Sequence, residues 1–149
     1  MYNNKTFLAI IPARGGSKRL PRKNVLDLCD KPVIGWSIEA GLKSKYIDKV
    51  IVSSDDDEIL DISKNFGAET IKRPNELASD TATTFDAIRH TVDNLEQYDY
   101  IVLLQPTSPL RNEKHVDEAI ELLENKQADA IVSVCEVDHS PLWSNTLPK

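Results

Sequence analysis

Short runs of β-branched and aliphatic residues, each four to six long, alternate with stretches of helical periodicity from residue 6 to residue 134. This alternation narrows the folds open to the chain, because parallel strands need crossovers long enough to hold a helix. Strands are expected at residues 6–11, 49–53, 69–72, 100–104 and 130–134. Between them lie four helical patterns. One follows Pro32 with Ile34, Trp36, Ile38 and Leu42 inward, and one spans 56–66 with Ile59, Ile62 and Phe66, stopping at Gly67. Another carries Phe85, Ile88, Val92 and Leu95, and the last is capped by Asn112 with Val116, Ala119, Ile120 and Leu123 on its inner face. The expected fold is α/β, a doubly wound, mainly parallel sheet with helices on both faces, formed as one domain over residues 1–149. Such sheets bind ligands at the carboxyl ends of their strands, near a reversal in strand order. The polar loops after the first, third and fourth strands should therefore meet at one edge.

Charge separates these loops from the rest. The chain has 18 basic and 24 acidic residues, a net charge of −6, which argues against nucleic-acid binding by bulk charge. Yet Arg14, Lys18, Arg19, Arg22 and Lys23 place five cations within ten residues, with no acid among them. The apolar run at 7–11 is too short for a signal peptide or a membrane span. Cys29 and Cys135 show no metal-ligand spacing and are read as small packing residues of a reduced, cytoplasmic protein.

The first loop, Pro12-Ala13-Arg14-Gly15-Gly16-Ser17-Lys18-Arg19-Leu20-Pro21-Arg22-Lys23-Asn24, has the composition of a phosphate site. Its adjacent glycines allow a tight turn that brings backbone N–H groups near a ligand, and arginine can grip phosphate oxygens through two donors. The spacing matches neither a Walker A loop nor a dinucleotide fingerprint, and a solvated basic turn is the alternative. The second loop starts at Arg73 and ends with Asp80, Thr81, Thr83 and Thr84 before a helix. These hydroxyls can cap that helix, and the same helix end can hold the polar edge of a nucleotide. In the third loop, Pro106 and Pro109 stiffen the exit from a strand and hold the Gln105 amide, a donor and an acceptor suited to sugar hydroxyls or a base edge. The alternative is a rigid turn with Arg111 exposed.

Three further features carry less. Asp55, Asp56 and Asp57 could hold a hard cation, but capping of the following helix by Asp55 is the simpler role. His90 and His115 fall within helices and read as surface residues, while His139 lies beyond the last strand, and no Ser-His-Asp relay follows from their spacing.

Taken together, Ile11-Pro12-Ala13-Arg14-Gly15-Gly16-Ser17-Lys18 with Lys23-Asn24, Arg73-Pro74 through Leu77-Ala78-Ser79-Asp80-Thr81, and Leu104-Gln105-Pro106-Thr107-Ser108-Pro109-Leu110-Arg111 resemble the motifs of CMP-sialic acid synthetases, the acylneuraminate cytidylyltransferases. The resemblance covers the N-terminal portion of that family and implies a Rossmann-like sheet of the nucleotide-diphospho-sugar transferase type. It implies transfer of CMP from CTP to a nonulosonic, sialic-type acid, with release of pyrophosphate. By resemblance, Arg14 and Lys23 are catalytic, holding the triphosphate and stabilising the leaving pyrophosphate. Gly15, Gly16, Ser17, Lys18, Asn24, Arg73, Asp80, Thr81, Thr83 and Thr84 would join them around the nucleotide, and Gln105 would orient the sugar. Family members are longer, and their later part supplies the Asp-x-Asp ligands for Mg²⁺ and the dimer contacts. No metal ligand is therefore expected within this chain, which reads as truncated at its C-terminus, with a homodimer expected for the full-length protein. Alternatives are a non-catalytic nucleotide-binding module, or a cytidylyltransferase for another keto sugar acid such as 3-deoxy-octulosonate.

Overall fold

Phe7–Pro12 (β1) presents five successive buried residues, so both of its faces must be covered and it belongs inside the sheet. The computed structural model describes residues 2–17, 20–79 and 81–136. Within them, β1 lies between Lys49–Ser54 (β2) and Tyr100–Leu103 (β4), with Glu69–Lys72 (β3) outside β2, all parallel. The order β3-β2-β1-β4 means that the chain steps outward twice and then returns across β1, placing the reversal between β1 and β4. Helices Val33–Lys43 (α1), Asp57–Asn65 (α2), Thr84–Asp93 (α3) and Glu113–Lys126 (α4) connect or follow the strands.

Alternation along β1 divides the core. Phe7, Ala9 and Ile11 pack with Ile34 and Ile38 of α1, Ile59 of α2, and Val116, Ile120 and Leu123 of α4. Leu8 and Ile10 face the other way, where Ile51, Ile88 and Leu95 close a smaller core beneath α3. Helices thus cover both faces, as the alternation predicts.

Several local expectations are corrected. On α1, Ile34 and Ile38 are buried, but Leu42 is 45% exposed and Trp36 turns aside to donate its Nε1–H to the Leu28 carbonyl. On α3, Phe85 is 67% exposed and Val92 is partly exposed, and the small residues Ala87 and Thr91 occupy the buried positions instead. The polar stretch before α3 contains a 3₁₀ turn, Asn75–Ala78, stiffened by Pro74. Strand β4 is not buried throughout. Ile101 and Leu103 share the face of Leu8 and Ile10, but α3 packs on β1 and leaves them partly exposed. Residues 130–134 form no strand; residues 130–133 line a cavity of about 930 Å³ together with β4 and α4, and Ile131 packs against the core. Cys29 and Cys135 are exposed free thiols, not packing residues.

Two carboxylates close the amino end of the sheet. Asp48 accepts from the Phe7 N–H at 2.8 Å, and Asp99 accepts from the Thr6 N–H at 2.8 Å and its hydroxyl at 2.9 Å. These donors hold the Asp99 carboxyl below the usual carboxylate range, the backbone N–H contributing most. Ile11 is fully buried at the opposite end of β1. Ile11→Ala should cost about 2–5 kcal/mol, read in urea unfolding as a lower midpoint with an unchanged slope.

Candidate functional site

The loops leaving β1, β3 and β4 meet in a cleft of about 310 Å³ at the carboxyl edge of the sheet. The first supplies Pro12, Arg14, Ser17, Lys23 and Asn24, the second Arg73, Leu77, Ser79, Ala82, Thr83 and Thr84, and the third Gln105, Pro106 and Thr107. The convergence follows from parallel strands, whose carboxyl ends all point the same way. Lys18 and Asp80 lie outside the described residues, as does His139. Gly15, Gly16 and Thr81 do not line the cleft, although they belong to loops that do.

Arg73 is 5% exposed at the end of β3, with its backbone N–H tied to the Ser54 carbonyl at 2.8 Å. Its Nε and Nη2 have no hydrogen-bond partner among the described residues, so donor capacity is left at the cleft. Burial lowers its pKa most; Asp55 works against that shift and Arg14 adds to it. Across the cleft, Arg14 donates from Nη1 to the Ser79 carbonyl at 3.1 Å, bridging the first and second loops. Asn24 is 3% exposed; its Nδ2 donates to the Arg14 carbonyl at 3.0 Å, and its Oδ1 has no partner among the described residues. A buried amide that holds one loop residue and keeps a free acceptor suits a polar ligand.

Thr83 caps α3. Its hydroxyl accepts from the Asp86 N–H at 3.2 Å, while the Asp86 carboxylate accepts from the Thr83 N–H and hydroxyl. That side chain therefore serves the helix end first, as the capping alternative holds. Thr81 shares a hydroxyl contact of 3.1 Å with Ser79. Gln105 is exposed at the rim, and its carbonyl accepts from the Ser108 N–H at 3.2 Å, Arg111 at 3.3 Å and Ser37 at 3.4 Å. Arg111 is not an exposed turn residue. It is half-buried, bonded to Ser37 at 2.9 Å, and burial pushes its pKa down.

The acid run after β2 proves to be an anchor for the basic loop. Asp56, not Asp55, caps α2 by accepting from the Ile59 N–H at 3.1 Å. Asp55 instead accepts from the Gly15 N–H at 3.0 Å, so that donor points at a carboxylate and away from the cleft. Arg22, in a left-handed backbone conformation, pairs with Asp56 and Glu58. Residue spacing alone could not reveal this role, although an acid run facing a basic loop across adjacent strand ends was its available signal. Among the described residues no group of three acidic, histidine or cysteine side chains could hold a metal ion, and Asp57 pairs with Lys72 at 2.5 Å. Asp55 and Asp57, each engaged by its own donor, thus do not fit a shared divalent cation.

The Asp56 carboxyl is raised most by burial, but Arg22 and the Ile59 N–H together outweigh burial and hold it below the usual carboxylate range. A lowered folded-state pKa gives stability that is present above the ordinary carboxylate value and lost as pH falls through the folded value. Asp56→Asn should therefore be less stable than the parent near neutrality, and the gap should close in acid. Thermal melts of both proteins from neutral to strongly acidic pH check this.

The model of the Cytidylyltransferase family matches residues 8–145. The chain is 44% identical over 129 residues to the N-acylneuraminate cytidylyltransferase of Escherichia coli O18:K1:H7, covering 86% of this chain and 31% of that protein. It is 36% identical over 137 residues to a pseudaminic acid cytidylyltransferase of Campylobacter jejuni, covering 89% of this chain and 59% of that one. Among solved structures, CMP:2-keto-3-deoxy-manno-octonic acid synthetase complexed with CTP superposes with a TM-score of 0.72 at 28% identity, over 83% of this chain and 49% of that one. The chain spans 31% and 59% of the length of these two curated relatives.

Proposed function

Because this chain belongs to the cytidylyltransferase family, we propose that it carries the CTP-binding part of an enzyme that activates a sialic-type nonulosonic acid as its CMP derivative. The observation that supports this most is the cleft itself, which Arg14 and Lys23 line together with a buried Arg73 that has unpaired donors. A triphosphate suits the cationic side, and a base or ribose suits the buried amide and guanidinium.

In this reading the anomeric hydroxyl oxygen of the sugar acid bonds to the α-phosphorus as the bond to the bridging oxygen breaks. Pyrophosphate leaves with that electron pair, and the hydroxyl proton is released. Arg14 and Lys23 hold the triphosphate and offset charge on the departing pyrophosphate, supplying positioning and electrostatic stabilisation. Gly16, Ser17 and Lys18 complete the loop, Asn24 meets the ribose or the α-phosphate region, and Arg73 with residues 80–84 brackets the cytidine. Gln105, its backbone fixed by Ser37 and Arg111, presents its amide to the sugar. The nucleotide would enter with Mg²⁺ from solution, its protein ligands lying outside the described residues. The cytoplasm is the matching compartment and a homodimer the proposed assembly.

The CTP-bound structural neighbour, named for a 3-deoxy-octonic acid, favours including that acid as a second acceptor class. Pyrophosphate release from Mg·CTP should be assayed with the gene product carrying these residues against neuraminic, legionaminic, pseudaminic and 3-deoxy-octulosonic acids. Release with a nonulosonic acid supports the reading; release only with the octulosonate, or CTP binding with no release for any acid, overturns it. Arg14→Ala should weaken Mg·CTP binding by roughly ten- to hundredfold, as loss of a charge-assisted phosphate contact does. Calorimetric titration checks this, and unchanged affinity would remove Arg14 from the site.

A further inference from the structure

Five cations within ten residues repel one another, so a loop of this composition does not hold a fixed shape unaided. Three contacts oppose that repulsion, all from the amino end of α2. Asp55 accepts from the Gly15 N–H at 3.0 Å. Asp56 lies so close that a Cβ on Gly15 would come within 2.6 Å of its Oδ2 and 2.9 Å of its Cβ. Asp56 and Glu58 together take the Arg22 guanidinium. The acids are themselves fixed, because Asp56 caps α2 and its own N–H donates to the Ser54 hydroxyl at 3.0 Å.

We propose that Asp55 is a positioning residue for the phosphate-binding loop, acting through the Gly15 N–H to set the Arg14 guanidinium for the phosphates of a nucleotide. Arg14 directly precedes the tied glycine, and its carbonyl is held on the other side by Asn24 at 3.0 Å. With the backbone fixed at both points, the Arg14 side chain is directed to the Ser79 edge of the cleft. Arg22 is neutralised outside the cleft, since it is absent from the lining that Arg14 and Lys23 share. The carboxylates thus consume one cation and one backbone donor to preorganise the others, which lowers the ordering cost of binding. The bond to Gly15, and not the negative charge, is the part that positions the loop, because a carboxylate near a phosphate site opposes the ligand.

This inference rests on the nucleotide reading, and the test separates the two. Mg·CTP and cytidine, which lacks phosphates, are titrated into the full chain and into Asp55→Ala and Asp55→Asn. Asp55→Ala should weaken CTP by roughly tenfold, the worth of one positioning hydrogen bond, while leaving cytidine affinity within error. Asp55→Asn, whose amide oxygen still accepts from Gly15, should restore CTP binding. Equal CTP affinity in all three proteins, parallel loss of CTP and cytidine in Asp55→Ala, or an Asn variant as weak as the Ala variant would each overturn the proposal. If the parent binds no nucleotide, the function reading fails and the positioning claim, which needs that ligand, fails with it. If the parent binds CTP, amide exchange supplies a second check: Gly15 should be protected in the parent and in Asp55→Asn and unprotected in Asp55→Ala, and any other pattern sinks the anchor.

Discussion

Burial of β1 on both faces is the constraint from which the rest of the structure follows. A strand with no exposed face takes neighbours on both edges and helices above and below. With β2 on one side and β4 on the other, the chain must cross the sheet once, and that crossing sets the reversal of order. The cleft stands at that point because three parallel strands deliver their following loops to the same edge. The core residues Phe7, Ala9 and Ile11 and the site residues Arg14 and Asn24 are thus two consequences of one short apolar run.

Two guanidinium groups lose water near the carboxyl edge of the sheet, Arg73 in the cleft and Arg111 in the cavity beside β4 and α4. Arg73 and Arg111 are both drawn partly out of water, and desolvation is the leading influence on each guanidinium. Arg111 meets this cost through the Ser37 hydroxyl and the Gln105 carbonyl, so its charge becomes a fastener for the loop after β4. Arg73 has fewer bonds and keeps Nε and Nη2 unpaired. The half-buried Arg111 thus fastens a loop, while the buried Arg73 keeps two donors for a ligand.

Much of the fold was legible in the residues themselves. The alternation of Val- and Ile-rich runs with helical periodicity located β1 to β4 and the four helices, and Asn112 was recognisable as the cap of α4. The loops carrying Arg14, Arg73 and Gln105 do share one cleft. What periodicity could not convey was which faces remain uncovered. Phe85 and Leu42 fit helical spacing yet point to solvent, because small residues such as Ala87 and Gly41 let the helices approach the sheet closely at the neighbouring positions. Residues 130–134 have the composition of a strand but make no ladder, although Ile131 packs on the core. Asp55 and Asp56 exchanged roles for a tertiary reason. Capping is local and could be anticipated, whereas the Gly15 bond spans 40 residues of sequence.

The carboxylates that close the amino end of the sheet and the cations that line the cleft stand at opposite ends of the strands. Asp48 and Asp99 terminate the strands at one end, and Arg14, Lys23 and Arg73 gather at the other. In a chain of net charge −6, a cleft lined by these three cations attracts an anion locally within a surface that on balance repels one. Added salt screens the general repulsion and the local attraction together, and these act on the encounter rate in opposite directions.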